Sequence, residues 1–198
     1  MRALFTSLDH PYQGEKMDRE EMQRLRTDLR SDKRETRLSA LERLHILLRE
    51  KEVDSSPIPQ LTPLIGAEDI VERRMSSWAL GKLAQNKVQG TYPLAALVAL
   101  LTDEDEEVRE NAAWTLGELT SLGVGGESEI RSLNLLLEDP WPQVRGMAAW
   151  TLGRLAERLS IGHYSSVPLL RRMLEDNSLN ARKSAVYALE RLTAMGIK

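Results

Sequence analysis

Five arginines recur at near-equal spacing. Arg37, Arg73, Arg109 and Arg145 stand 36 residues apart, and Arg182 follows 37 further on. A stripe of guanidinium groups could hold an anion. The run DEDEE, Asp103 to Glu107, offers carboxylates to a cation. The calcium-loop pattern fails there, because Val108 stands where glycine is required and no Glu occupies the twelfth position. Acidic residues at a helix start are better explained by the helix dipole. The segment GVGGES, Gly123 to Ser128, has the glycines of a phosphate loop but lacks the Lys-Ser/Thr ending and follows a helical pattern, not a strand. It reads as a turn. His10, His45 and His163 show no HExxH spacing, and no Ser-His-Asp arrangement emerges. There are no cysteines, which excludes disulfides, thiolate metal sites and a cysteine nucleophile. The expectation is a non-enzymatic protein with no catalytic residue, no cofactor and no metal.

Aromatic side chains offer a different chemistry. Trp78, Trp114, Trp150 and Tyr187 each sit five residues after an arginine of the series. Two of these lie in a repeated phrase, AAWTLGEL from Ala112 to Leu119 and AAWTLGRL from Ala148 to Leu155. Self-similarity at this period marks stacked supersecondary units. With the arginines as anchors, five units of about 36 residues fit residues 18–198. Leu25, Leu61, Leu97, Leu133 and Leu170 stand twelve before the anchors, and Leu29, Ile65, Leu101, Leu137 and Leu174 eight before. Position +3 holds Ala40, Ser76, Ala112, Ala148 and Ala185. Leucine fills positions +7 and +10 of every unit.

The elements that must position these columns are helices. A leucine pair four apart has helical spacing, so each unit opens with a helix A. An acidic turn follows, with Asp103, Asp139 and Asp176 six before their anchors. Asp139 with Pro140 has the look of an N-cap followed by proline at the first helical position. Asp18 and Glu21 have capping-box spacing at the start of the first helix. Helix B carries the anchor, an apolar stripe at +3, +4, +7 and +10, and the aromatic at +5, roughly 160° from the stripe centre. Gly81, Gly117 and Gly153 flank the stripe, where a tight helix crossing would offset the roughly 1 kcal/mol cost of mid-helix glycine. Gly90, Gly126 and Gly162 are placed to end the units.

The pattern Asp103, Val108, Arg109, Ala112, Ala113, Trp114, Leu116, Gly117, Leu119 resembles a HEAT repeat, and most of all the short HEAT-like repeats named after phycobilisome lyases. Units three and four match best. Unit one departs with Glu42 and His45, unit two with Ser76 and Ser77, and unit five with Glu190. The resemblance implies an all-α fold, a right-handed α-α superhelix of five helix pairs. It implies that Arg73, Arg109, Arg145 and Arg182 form an inter-repeat ladder with Asp103, Asp139 and Asp176. It also implies that the B helices line the concave face, so the +5 rings make a row along it. Trp and Tyr are enriched at binding hot spots, which points to a protein or peptide partner held by Trp78, Trp114, Trp150 and Tyr187. Arg74, Lys82, Arg154 and Arg191 share that face as polar rim contacts. The competing expectation is that the rings pack between successive B helices and only set curvature. The His-Glu pairs of the di-iron HEAT-repeat hydroxylases are missing from this sequence. Two further functions follow from the resemblance: a bilin-lyase-type enzyme or enzyme subunit, with a tetrapyrrole in the aromatic groove, and nucleic-acid binding like the HEAT-like alkylation-repair proteins.

The net charge of −3 on 198 residues gives no overall basic field, which counts against nucleic acid and anionic lipid. No apolar run reaches the roughly 18 residues of a membrane helix, and the opening MRALFTSLDHPYQG is a poor signal peptide, so the expectation is a cytoplasmic protein. Residues 1–17 fall outside the repeats and read as an N-terminal arm, either packed over unit one or free. The end units leave a homo-oligomeric contact open.

Overall fold

In a computed structural model, residues 18–50 and 53–198 are described. The expected arm, with His10, lies outside them. Among the described residues, ten α-helices run in pairs. The A helices are α1 (Arg19–Asp28), α3 (Ile58–Leu64), α5 (Leu94–Ala99), α7 (Ser128–Leu136) and α9 (Ser166–Arg172). The B helices are α2 (Arg34–Glu50), α4 (Ile70–Gln85), α6 (Glu106–Leu119), α8 (Pro142–Leu159) and α10 (Leu179–Ala194). The B helices are the longer, and each stacks on the next, α2 on α4, α4 on α6, α6 on α8 and α8 on α10. The result is an all-α superhelix of five helix pairs.

One core runs the length of the stack. The columns twelve before the anchor and at +3 and +10 are buried in all five units. The serine pair of unit two is tolerated because each hydroxyl finds a carbonyl one turn back, Ser76 on Glu72 at 2.6 Å and Ser77 on Arg74 at 3.0 Å. Stacking itself supplies part of the burial. Column −8 is 1 to 3% exposed in the first four units, whereas Leu174 is 41% exposed. Val186, in the +4 column, is 45% exposed where Ala113 and Ala149 are fully buried. Unit five thus presents a face that inner units cover with their neighbour.

Some terminal details differ from the sequence reading. The proline at N1 of α8 is Pro142, behind the N-cap residue Trp141, and Asp139 accepts the Trp141 amide at 2.9 Å from outside the helix. Asp18 does cap α1, but Glu21 turns away to Arg43 of α2, at 3.0 Å from its Nε. The left-handed residue that turns the chain after helix B sits at +14 or +15, not +17. Lys87, Gly123, Ser160 and Gly196 hold it. Gly90 and Gly162 serve close packing instead. A Cβ at Gly90 would fall 2.6 Å from Ile58 Cδ1, and one at Gly162 2.5 Å from Leu192 Cδ2.

Candidate binding groove on the B helices

The arginine column is tied down along the stack. Each anchor reaches back to its own turn: Arg109 Nη1 donates to the carbonyls of Asp103 at 2.8 Å and Glu104 at 3.1 Å, and Arg37, Arg73 and Arg145 repeat the pattern. The other edge of the guanidinium grips a carboxylate of the next unit. Arg73 Nε lies 2.8 Å from Asp103, Arg109 Nε 2.7 Å from Asp139, and Arg145 Nε 2.6 Å from Asp176. These hydrogen bonds hold all three arginines above their usual pKa and Asp176 below the carboxylate range. Unit one uses Glu72 in place of an Asp, 2.8 Å from Arg37. Among the described residues, Arg182 bonds to the Asp176 carbonyl and to no carboxylate. The DEDEE carboxylates enter the same scheme: Asp103 meets Arg73, while Asp105 caps α6 at Val108 and, with Glu107, binds Arg74. Among the described residues, no group of three or more His, Asp or Glu is arranged to hold a metal.

The aromatic column occupies the seams between B helices. Every ring rests on the +8 residue of the preceding unit. A Cβ at Gly81 would come within 2.6 Å of the Trp114 ring, and one at Gly117 within 2.9 Å of Trp150. Gly153 stands in the same relation to Tyr187. In the first seam the +8 residue is His45, whose ring packs against Trp78 with centroids 4.0 Å apart and planes tilted by 39°. Glycine is therefore present to seat a ring, not to allow a bare helix crossing. Two buried threonines beside the glycines add a polar stitch: Thr115 donates to the Ser77 carbonyl at 2.9 Å, and Thr151 to Ala113 at 2.7 Å. The repeated phrase WTLG thus encodes ring, hydrogen bond, core leucine and the next ring's seat in four consecutive letters.

The rings are only half-buried, and their outer edges belong to a polar face. Trp114 Nε1 donates to Glu118 at 3.2 Å, and the Tyr187 hydroxyl meets Glu157 at 3.1 Å. Burial, then the Glu157 charge, pushes the Tyr187 phenol up to about 12. Cations lie over three rings: Arg49 over Trp78 at 5.4 Å, Arg154 over Trp150 at 5.3 Å and Arg191 over Tyr187 at 5.3 Å. Of the residues expected at the rim, Arg74 is held by Asp105 and Glu107, Lys82 donates to Gln85 at 2.6 Å, and Arg191 is 3.4 Å from Glu157. Burial lowers the Lys82 pKa.

From Gln85 of unit two to α10 of unit five this face opens into a groove of about 630 Å³. Trp114 and Trp150 are in its wall with Glu110, Glu118, Met147 and Arg154, and Asn180 and Ser184 of α10 face them. Trp78, Tyr187, Arg74, Lys82 and Arg191 do not line it. Glu110 also lines the groove and is not singled out by the sequence analysis. Its position at +1, one turn before the ring, was the available signal.

Solved structures share this architecture. An engineered protein is 21% identical, with a TM-score of 0.64 over 91% of this chain and 86% of that one. A designed armadillo repeat protein, solved in complex with the peptide (KR)4, is 20% identical with a TM-score of 0.64, covering 87% of each chain. A chain from a complex of Kap95p with RanGDP is 22% identical with a TM-score of 0.64, over 86% of this chain and 24% of that one. No curated protein matches the sequence. The HEAT-repeat family pattern matches residues 58–134 and 131–195. With the helix pairs, the arginine columns and the family match in agreement, the chain belongs to the HEAT-repeat family.

Proposed function

We propose that this protein is a non-enzymatic scaffold that binds a peptide or an extended protein segment along its B-helix face. One observation carries the reading: a groove of about 630 Å³ whose walls come entirely from B helices and their caps, with two half-buried indoles in them. Indoles supply large contact area at small entropy cost, and a groove between stacked helices lets several contacts accumulate. Trp114 and Trp150 are the anchors, and Arg154 is a polar contact beside them. Trp78, Tyr187, Arg74, Lys82 and Arg191 extend the face beyond the groove. The peptide complex of the designed armadillo relative supports this use of the fold. The AAWTLG core and 36-residue period support the narrower kinship with phycobilisome-lyase-type repeats. The arginine columns are read as structure, not as an anion site. No described helix is long and apolar enough to cross a membrane, and a cytoplasmic setting is proposed with the scaffold role.

The test must block the groove without disturbing the ring seats. Ser184 is in the groove wall and is not among the nearest atoms at any seat glycine, so Ser184→Trp is chosen to fill the groove, and circular dichroism checks that the variant keeps its fold. A partner captured by wild type and lost by the folded variant supports the reading. Equal capture by both moves the site elsewhere.

A further inference from the structure

We infer that the groove accepts a basic side chain, lysine or arginine, of an extended peptide partner, with Glu110 as its counter-ion and the rings of Trp114 and Trp150 as its apolar walls. This rests on the scaffold reading and adds the chemistry of the occupant.

The argument is a charge balance. Three charged residues line the groove: Glu110, Glu118 and Arg154. Two of them are engaged. Glu118 takes the Trp114 indole N–H at 3.2 Å, with Gln85 at 3.5 Å and Arg154 at 3.9 Å. Arg154 lies over Trp150 and its Nε is 3.4 Å from the Gly117 carbonyl. Glu110 has no hydrogen-bond or ion-pair partner among the described residues. Arg74 pairs with Asp105 and Glu107 instead, and Lys82 donates to Gln85. The facing wall brings Asn180 and Ser184, which are neutral.

Glu110 is half-buried, and burial followed by the nearby Glu107 raises its pKa. Its ionised form is thus held at a disadvantage that a bound cation would relieve. The geometry favours a side chain with an apolar or flat body and a charged tip. Trp114 stands one helical turn from Glu110 and Trp150 is on the neighbouring helix, so both rings line the groove that the carboxylate lines. Ammonium and guanidinium groups are attracted to such rings, and their stems cover apolar surface. An acidic segment or a phosphate backbone would meet Glu110 and Glu118 instead.

The test uses fluorescein-labelled octapeptides of alternating Ser and Arg, and of alternating Ser and Glu, titrated into the full chain at low and moderate salt. Tryptophan fluorescence gives a second readout at the groove. The Arg peptide is expected to bind with salt-sensitive affinity and to perturb the tryptophan emission, and the Glu peptide to do neither. Glu110→Gln keeps the shape and is expected to weaken Arg-peptide binding about tenfold. Glu107→Gln, on an exposed neighbour, is expected to change it less than about threefold. Unchanged affinity in Glu110→Gln, preference for the Glu peptide, or no binding of the Arg peptide each overturns the inference. If the Arg peptide fails while a partner is still lost on Ser184→Trp, the basic subsite is wrong and the scaffold stands. If both fail, the groove is not the binding surface.

Discussion

Trp150 rests where the side chain of Gly117 would have been. The hydrogen that glycine offers in place of a Cβ lets the indole of one unit pack closely on the helix of the unit before it. Alanine is the better helix former by about 1 kcal/mol, yet Gly117→Ala is expected to destabilise by about 1–3 kcal/mol, because a displaced ring costs more than propensity returns. Gly66→Ala is the control. Its Cβ would have only the Pro63 carbonyl near, at 3.8 Å, and no change beyond about 0.5 kcal/mol is expected there. Urea denaturation of both variants decides the matter. A stabilised Gly117→Ala would show that the ring is not seated.

The arginine columns make a graded prediction. Arg109 and Asp139 are both largely buried, so Arg109→Ala leaves a carboxylate without its cation and is expected to cost about 3–5 kcal/mol. Arg182, with no carboxylate from a following unit, is expected to cost about 1 kcal/mol or less on the same change. Equal losses in the two variants would mean that the bonds to the turn carbonyls, and not the cross-unit pairs, carry the effect.

The threonine stitches can be removed without changing shape. Thr151→Val loses the 2.7 Å bond to the Ala113 carbonyl and is expected to cost about 1 kcal/mol. Thr115→Val and Thr151→Val together should cost the sum, since different seams hold them. Chemical denaturation of the single and double variants measures it.

His45 provides a pH test. Burial, more than the nearby Arg49 charge, lowers its pKa, while its Nε2 bond to the Met75 carbonyl at 3.1 Å and the Glu42 charge pull the other way. Its folded pKa therefore lies below the unfolded value of about 6.5. The folded state holds fewer protons, so the stability it contributes is present above pH 6.5 and is lost as pH falls through the folded pKa. Between pH 7 and 5.5, wild type should lose stability that His45→Gln does not lose. Parallel curves for the two proteins over that range would show that His45 takes up its proton equally in the folded and unfolded states.

The sequence carried the period, the helix pairs and the buried columns because those are properties of one unit, repeated. Leu97 with Leu101, or Ala112 with Leu116, can be read from helical spacing alone. The ring seats were not legible for a physical reason. Trp114 meets Gly81, 33 residues earlier, and a comparison that superimposes units lays each tryptophan over the other tryptophans and each glycine over the other glycines. It hides which column of one unit meets which column of the next. His45 looked like a defect in the motif for the same cause, yet it is the platform under Trp78. The helix stops were missed because the left-handed position tolerates different residues, with Lys87 and Ser160 doing what Gly123 and Gly196 do. The solitary state of Glu110 depends on which cations their neighbours have claimed, and that is known only once side chains are placed.

The placement of ring and seat on opposite sides of each seam bears on how such a chain can be rearranged. A unit excised at its loops takes its aromatic along with half of two different joints, so exchanging one unit for a foreign one alters both flanking seams at once. The joint itself, from the +8 residue of one helix to the +5 ring of the next, is the piece to transplant. Glu190 occupies the seat position of the last unit, and appending a further tryptophan-bearing unit behind it would call for Glu190→Gly first. Recombination boundaries drawn through the middle of the B helices, between ring and seat, should therefore yield folded chimeras where boundaries drawn at the turns fail.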